Sequence, residues 1–341
     1  MSYPRPTNTV EHYLGIGKQS SKGTGVAPTV FVPYQGEASL DGGQDGDEIR
    51  EAGTGPYINR IMKTKHDPSG SFGMAARPKT GAQLLAWLLG GSAAASQAPG
   101  HNQTATPAIT RTWLTVEMFT GPDGDIGERF VDCLLKKVNI SCDGNKDLMF
   151  KFEWFGLTPG WQATAATPAY ETGVSGSTPG GPYRGHEASY TVDGSAASNV
   201  ASWELDLEWK YDEDIRLSKV TRGDALKLEL VANLKLKQLI DSTTVRDDYR
   251  KMAYLTSSGT AADKNMFSSG AFVAAFDNGL ASTAQRLLTI TVPQITYGTP
   301  KYTPHNPDGS TMYLDREGKV TKVPGSELVT IVSNTQDASA Y

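Results

Sequence analysis

The residues of this chain that could do chemistry are few, and their spacing does not suit it. Five histidines (His12, His66, His101, His186, His305) are scattered, mostly in loop-like sequence, and none has a second ligand type at metal-binding spacing. Cys133 and Cys142 are too far apart for a CxxC pair and have no neighbouring histidine. They read as buried free thiols in strand-like segments. The run Gly15-Ile-Gly-Lys-Gln-Ser-Ser-Lys-Gly-Thr-Gly invites a phosphate-loop reading and fails it. Gln19 follows Lys18 where a Ser or Thr is needed, and no apolar strand precedes the run. Asp41–Glu48 has the composition of a calcium loop, but Ala52 stands where the closing glutamate would fall. Gly121-Pro-Asp-Gly-Asp is turn chemistry. The sequons at Asn102 and Asn139 carry no weight without a secretion signal. The sequence therefore points to no catalytic residue, no metal and no cofactor.

Composition points the same way. The net charge is −5, and no basic patch with interleaved aromatics advertises nucleic-acid binding. Glycine (36) and proline (19) suit many strands joined by turns, and 38% hydrophobic residues are enough for a sizeable core. Met1-Ser-Tyr-Pro-Arg-Pro has no apolar run, and no stretch approaches the length of a membrane span. The expectation is a soluble chain, folded in a cytoplasm without membrane insertion.

The elements that would position any site are mostly strands. Residues 1–28 read as a polar arm, Thr29–Tyr34 as a short strand, and Asp41–Gly55 as an acidic loop. Tyr57–Lys65 and Ser71–Ala76 flank Asp67-Pro-Ser-Gly, which predicts a hairpin. Thr80–Leu89 predicts a helix capped by Thr80 and ended by Gly90, with Leu84, Leu85, Leu88 and Leu89 on one face. Ser92–Thr110 reads as a loop. In Thr112–Thr120, Leu114, Val116 and Met118 alternate with polar neighbours, and Arg129–Cys133 can return from the turn at Gly121. Leu134–Cys142 and Leu148–Phe155 flank Asp143-Gly144, a hairpin signal, and Leu148, Phe150, Phe152 and Trp154 form one apolar row. Thr158–Tyr190 reads as a long loop within a single domain spanning 29–298.

Trp203–Tyr211 sets Trp203, Leu205, Leu207, Trp209 and Tyr211 against Glu204, Asp206, Glu208 and Lys210. Leu226–Leu236 sets Leu226, Leu228, Leu230, Leu234 and Leu236 against Lys227, Glu229, Lys235 and Lys237. Both predict half-buried antiparallel strands whose outer faces carry opposite charge bias. Thr243–Leu255 reads as a polar helix and Gln285–Val292 as a last core strand. Residues 299–341 read as an extension outside the core, with weak strands at Thr311–Leu314 and Leu328–Val332.

The segment from Tyr13 to Pro33 resembles the opening of the tail tube (major tail) proteins of long-tailed, non-contractile bacteriophages, in which a GIGK(E/Q)…GT…P run leads into a first strand. The order that follows is also similar: the Arg60–Lys65 and Ser71–Pro78 segments, the Leu-rich helix ending at Gly90, the Trp113–Glu117 strand, and Asp132-Cys133 before the strands of Val138–Phe155. The resemblance covers roughly residues 13–160 in motifs and 186–297 in pattern.

That resemblance implies a mainly β, antiparallel sandwich or partial barrel with a flanking short helix. It implies stacked hexameric rings forming a hollow tube that conducts the genome, with a tape measure protein inside and terminator or baseplate proteins at the ends. Double-stranded DNA would pass through transiently, and the location would be the virion tail. Lys18, Asp41, Asp45, Asp47, Glu48, Arg50 and Arg60 are the candidates for contacts between subunits or rings, because they lie in segments without a core of their own. Glu204, Asp206 and Glu208 are candidates for an acidic lumen, with an outer solvated face as the alternative. Two other readings stay open: another virion part (tail terminator, baseplate ring or capsid decoration protein), or a carbohydrate-binding or hydrolytic sandwich. Trp154, Trp203 and Trp209 fall on apolar rows, which weighs against the last.

Overall fold

The structure is a computed structural model that describes residues 12–36, 38–49, 60–97, 100–120, 126–161, 166–171, 181–215, 220–240, 243–254, 269–280, 285–298, 301–302, 312–335, 337 and 339–341. Strands β1 (Tyr13–Lys18), β2 (Val30–Val32), β3 (Ser39–Asp41), β4 (Gln44–Ile49), β5 (Arg60–His66) and β6 (Ser69–Ala75) precede helix α1 (Pro78–Leu89). Then come β7 (Gly90–Gln97), β8 (Gly100–Pro107), β9 (Leu114–Thr120), β10 (Ile126–Asp143) and β11 (Met149–Trp161). A 3-10 turn at Gly185–Glu187 leads to β12 (Ala188–Val192), β13 (Ser195–Ala197), β14 (Val200–Ile215), β15 (Asp224–Leu239) and helix α2 (Thr243–Tyr254). The order closes with β16 (Ser269–Asp277), β17 (Leu287–Tyr297), β18 (Lys301–Tyr302), β19 (Tyr313–Val320) and β20 (Thr330–Thr335).

All strand pairs are antiparallel, and every strand except β4 and β5 belongs to one connected sheet. Its hub is β10, which pairs with β11 along one edge. Its other edge is shared, first by β9 and then by β14. The changeover falls between Cys133 and Lys137, just after Asp132, a non-glycine residue at φ 58 where the β9 register shifts. From β14 the pairing continues through β15 and β19 to β17. There it divides, through β16 to β12 and through β20 to β8 and β7.

The sheet curls round one core, a mainly β sandwich or partial barrel as expected. Trp203 of β14 meets Phe272 of β16 at 5.4 Å between ring centroids, and Phe72 stacks on Phe152 at 5.4 Å. Helix α1 buries Leu84, Leu85, Leu88 and Leu89 against that core. Phe150, Phe152, Trp154, Trp203, Leu205, Leu207 and Trp209 are all buried, so both period-two rows face inward. Asp143-Gly144 is the expected turn between β10 and β11, with Gly144 at φ +57.

Several local expectations fail, each because a distant segment decides the outcome. Tyr13–Lys18, read as part of an arm, is a strand with Tyr13–Gly17 buried between β2 and β9. The predicted hairpin across Asp67-Pro-Ser-Gly does not form. Strand β5 pairs with β4, inside the segment read as an acidic loop, while β6 pairs with β11 and β3. Helix α1 starts at Pro78, and Thr80 lies inside it. The cap is Glu171, whose carboxylate accepts from Lys79 N (3.1 Å) and Thr80 N (2.8 Å). Ser92–Thr110, read as a loop, forms most of the β7–β8 hairpin. Its Gly, Ala and Ser residues carry no apolar row to announce it. The expected extension beyond 299 supplies β19 and β20, and Leu314, Val320, Val329 and Ile331 complete the core.

Candidate assembly surfaces

Among the described residues, no group of three or more His, Cys, Asp or Glu could hold a metal ion. Cys133 and Cys142 are free and buried, and burial pushes both thiols up, away from the reactive thiolate. His66 closes β5, where burial, with Lys63 nearby, pushes its imidazole down. His101 lies on β8, His186 in the 3-10 turn, and His305 outside the described residues. No described helix is long and apolar enough to cross a membrane.

What stands out instead is the β4–β5 ladder, a sheet of its own. It holds Asp45, Asp47 and Glu48 on one strand and Arg60, Lys63 and Lys65 on the other. Ile61 and Met62 between them are 69% and 49% exposed, adjacent apolar side chains on a ladder outside the core clusters. Among the described residues, the ladder's ties to the rest of the chain include several at its base. There His66 N donates to Val220 O (2.9 Å), Asp67 N donates to Gly43 O (2.7 Å), and Arg222 pairs with Asp67 (3.5 Å). Asp41 ends β3 beside that base, whereas Lys18 ends β1 as an exposed residue elsewhere. Arg50 lies outside the described residues. The structure thus brings Asp41, Asp45, Asp47, Glu48 and Arg60 together and leaves Lys18 apart.

A second surface is the outer face of the sheet running from β11 through β10 and β14 to β15 and β19. Glu204, Asp206 and Glu208 lie there side by side, alternating with the buried row of β14. Each already has a partner. Asn139 Nδ2 donates to Glu204 (2.5 Å) and Asp206 (2.8 Å), Lys235 pairs with Glu204 (3.1 Å), and Lys210 with Glu208 (2.7 Å). Lys137 lies 3.8 Å from both Glu153 and Asp206. The face is a lattice of alternating charge, not a bare acidic stripe. Near the starts of β14 and β19 it forms a groove of about 480 Å³, bordered by Ser141, Ser202, Glu204, Lys237, Lys301 and Glu317 among others.

Three buried polar clusters were not visible in the sequence. Lys227, read as an outer residue of β15, is buried and donates to the carbonyls of Leu88, Leu89, Ala108 and Thr110 at 2.9–3.2 Å. Its ammonium also lies 3.9 Å from the Trp209 ring centroid. Burial pushes its pKa down to about 7, while the carbonyls, the helix end and the indole face all favour the cation. The cause is a bulge. Lys210 pairs with Glu229 and Tyr211 with Lys227, so Leu228 is skipped, and Leu226 and Leu228 turn outward at 45% and 60% exposure. Arg316 of β19 is fully buried and pairs with Asp193 (3.2 Å) and with Asp248 of α2 (2.9 Å), fastening that helix to the sheet. Glu117 of β9 is also fully buried, paired with Arg129 (2.8 Å) and accepting from Tyr13 Oη (3.0 Å). The one available signal was a charge inside an otherwise apolar strand, which also describes an ordinary outer face.

A family described as phage tail tube protein matches residues 9–302. No curated protein matches the sequence. The match covers most of the chain, so the chain belongs to the phage tail tube family. It is a structural family of the virion tail, whose members assemble into a tube with other tail components.

Proposed function

We propose that this tail tube protein self-assembles into stacked hexameric rings whose bore conducts the genome. The observation that carries the reading is the β4–β5 ladder. A two-stranded sheet is marginal by itself in water, and this one exposes Ile61 and Met62 without a core behind it. Such a segment gains order and burial against another copy. Asp41, Asp45, Asp47, Glu48 and Arg60 are therefore assigned to contacts between subunits or rings, together with Lys18 and Arg50.

Glu204, Asp206 and Glu208 are assigned to the lumen. Duplex DNA carries one charge per about 1.7 Å, and a wall with spare lysines would hold it by counterion release. On this face Lys137, Lys210 and Lys235 are paired with carboxylates, which weakens their grip on a passing phosphate. In this reading the work is assembly without catalysis. The partners are further copies of the chain, a tape measure protein inside and terminator or baseplate proteins at the ends, and assembly takes place in the bacterial cytoplasm.

Sedimentation and negative-stain imaging of the purified protein test this. Rings and long hollow cylinders are expected. A monomer that persists at every concentration would overturn the reading, and so would glycan hydrolysis by the pure protein.

A further inference from the structure

The ladder and the groove lie at opposite ends of the same two strands. The ladder's base is held by Val220 and Arg222, in the connection from β14 to β15. The groove sits on Glu204 near the start of β14 and on Lys235 and Lys237 near the end of β15. Glu204 to Ile215 spans about 35 Å at the usual strand rise, so the ladder's base is far from the groove of its own chain.

Their charges match. Lys237, Lys301, Asp315 and Glu317 border the groove, and none of them forms an ion pair among the described residues. Lys237 lies over the Tyr313 ring (4.4 Å), and Lys301 and Lys237 both flank Asp315 across strands. On the ladder, Asp45, Asp47, Lys63 and Lys65 likewise form no ion pair among the described residues. Each surface thus offers two carboxylates and two ammonium groups outside any close ion pair, although Asp45 stands opposite Lys65 and Glu317 opposite Lys235 across strands. Pairing them across an interface satisfies both, whereas a partner of one sign would meet repulsion from half of either set.

We infer that the β4–β5 ladder of one copy seats in the groove bordered by Lys237, Lys301, Asp315 and Glu317 on the next copy. This rests on the tube reading and deepens it by naming both halves of one contact. Knob and socket are different surfaces at different ends, so the contact is heterologous. It leaves a free knob and a free socket after every addition, as an open-ended polymer requires.

Charge exchange tests the pairing. Variant one carries Asp45→Lys and Asp47→Lys. Variant two carries Lys237→Glu and Lys301→Glu. Each is checked for folding by circular dichroism and urea denaturation. Alone, each is expected to lose tube formation at concentrations where the unmodified protein forms tubes. Mixed one to one they are expected to recover it, because each knob then finds a matching socket on the other variant. Should variant two fail to fold, Asp315→Lys with Glu317→Lys, mixed with Lys63→Glu and Lys65→Glu, asks the same question of the other charge pair. The inference is overturned, and the tube reading kept, if the folded variants polymerise as the unmodified protein does, or if mixing restores nothing. Both fall if the unmodified protein never assembles.

Discussion

Strands β4 and β5 and strands β14 and β15 form two antiparallel ladders with charged side chains, and they differ in what lies behind them. The β14–β15 ladder turns Trp203, Leu205, Leu207, Leu234 and Leu236 into the core, and its charges merely coat the outside. The β4–β5 ladder shares its charge pattern but no core, and its larger apolar side chains, Ile61 and Met62, face outward. Burial fixes the first ladder within one chain, whereas the second, in the proposed assembly, is completed by a neighbour. The comparison separates residues that hold the subunit together from those proposed to hold subunits to one another.

Substitutions can break or sharpen that separation. The largest effect is expected from Trp203→Ala, which empties a site between β14 and β16 and should cost about 3–5 kcal/mol in urea denaturation. A matching loss from Ile61→Ser would erase the distinction. Arg316→Met leaves Asp193 facing Asp248 without the shared guanidinium, though Lys251 still pairs with Asp248 (3.6 Å). It should cost about 2–3 kcal/mol, somewhat below a fully buried pair because both carboxylates are partly exposed. Loss of helical signal from α2 should accompany it.

Lys227 yields a pH test. Its folded pKa near 7 lies below the unfolded value near 10.4, so between the two the unfolded chain binds more protons and stability rises with pH. The surrounding carbonyls discount the burial penalty, leaving an expected gain of about 1–2 kcal/mol from pH 7 to 10. Lys227→Met should flatten the difference between those two denaturation curves, and an unchanged slope would reject the assignment. Lys235→Ala, on the outer face, should cost only about 0.5 kcal/mol, measured in the same way. Ile61→Ser should leave subunit stability within about 0.5 kcal/mol while lowering the yield of tubes seen in negative stain.

Legibility followed the same division. Strands with a heavy apolar row, such as Leu148–Phe155 and Trp203–Tyr211, could be read directly, because side-chain burial alone sets their period. So could the turn at Gly144 and the end of α1 at Gly90, whose φ of +89 suits glycine. The β7–β8 hairpin could not, since small residues carry no pattern and its register depends on β20, more than two hundred residues away. The bulge at Leu228 was equally hidden, because one skipped residue reverses which side faces inward. The helix cap at Glu171 is a long-range contact that local cap chemistry cannot foresee. Of the candidate contact residues, those on β4 and β5 were chosen for lacking a core of their own, and their pairing into one ladder could not be read. The lattice around Glu204 and Asp206 required knowing that β10 and β15 flank β14.

The position of β19 in the order of elements also bears on timing. Lys301, Asp315 and Glu317 come from β18 and β19, which follow nearly every other strand in the chain. During synthesis the N-terminal portions emerge first, but the β4–β5 ladder is anchored only when Val220 and Arg222 have followed. Under the proposed contact the socket comes later still, so an unfinished chain would have nothing with which to accept a neighbour's knob. Growth onto half-made subunits would then wait for the end of translation, without any separate inhibitor.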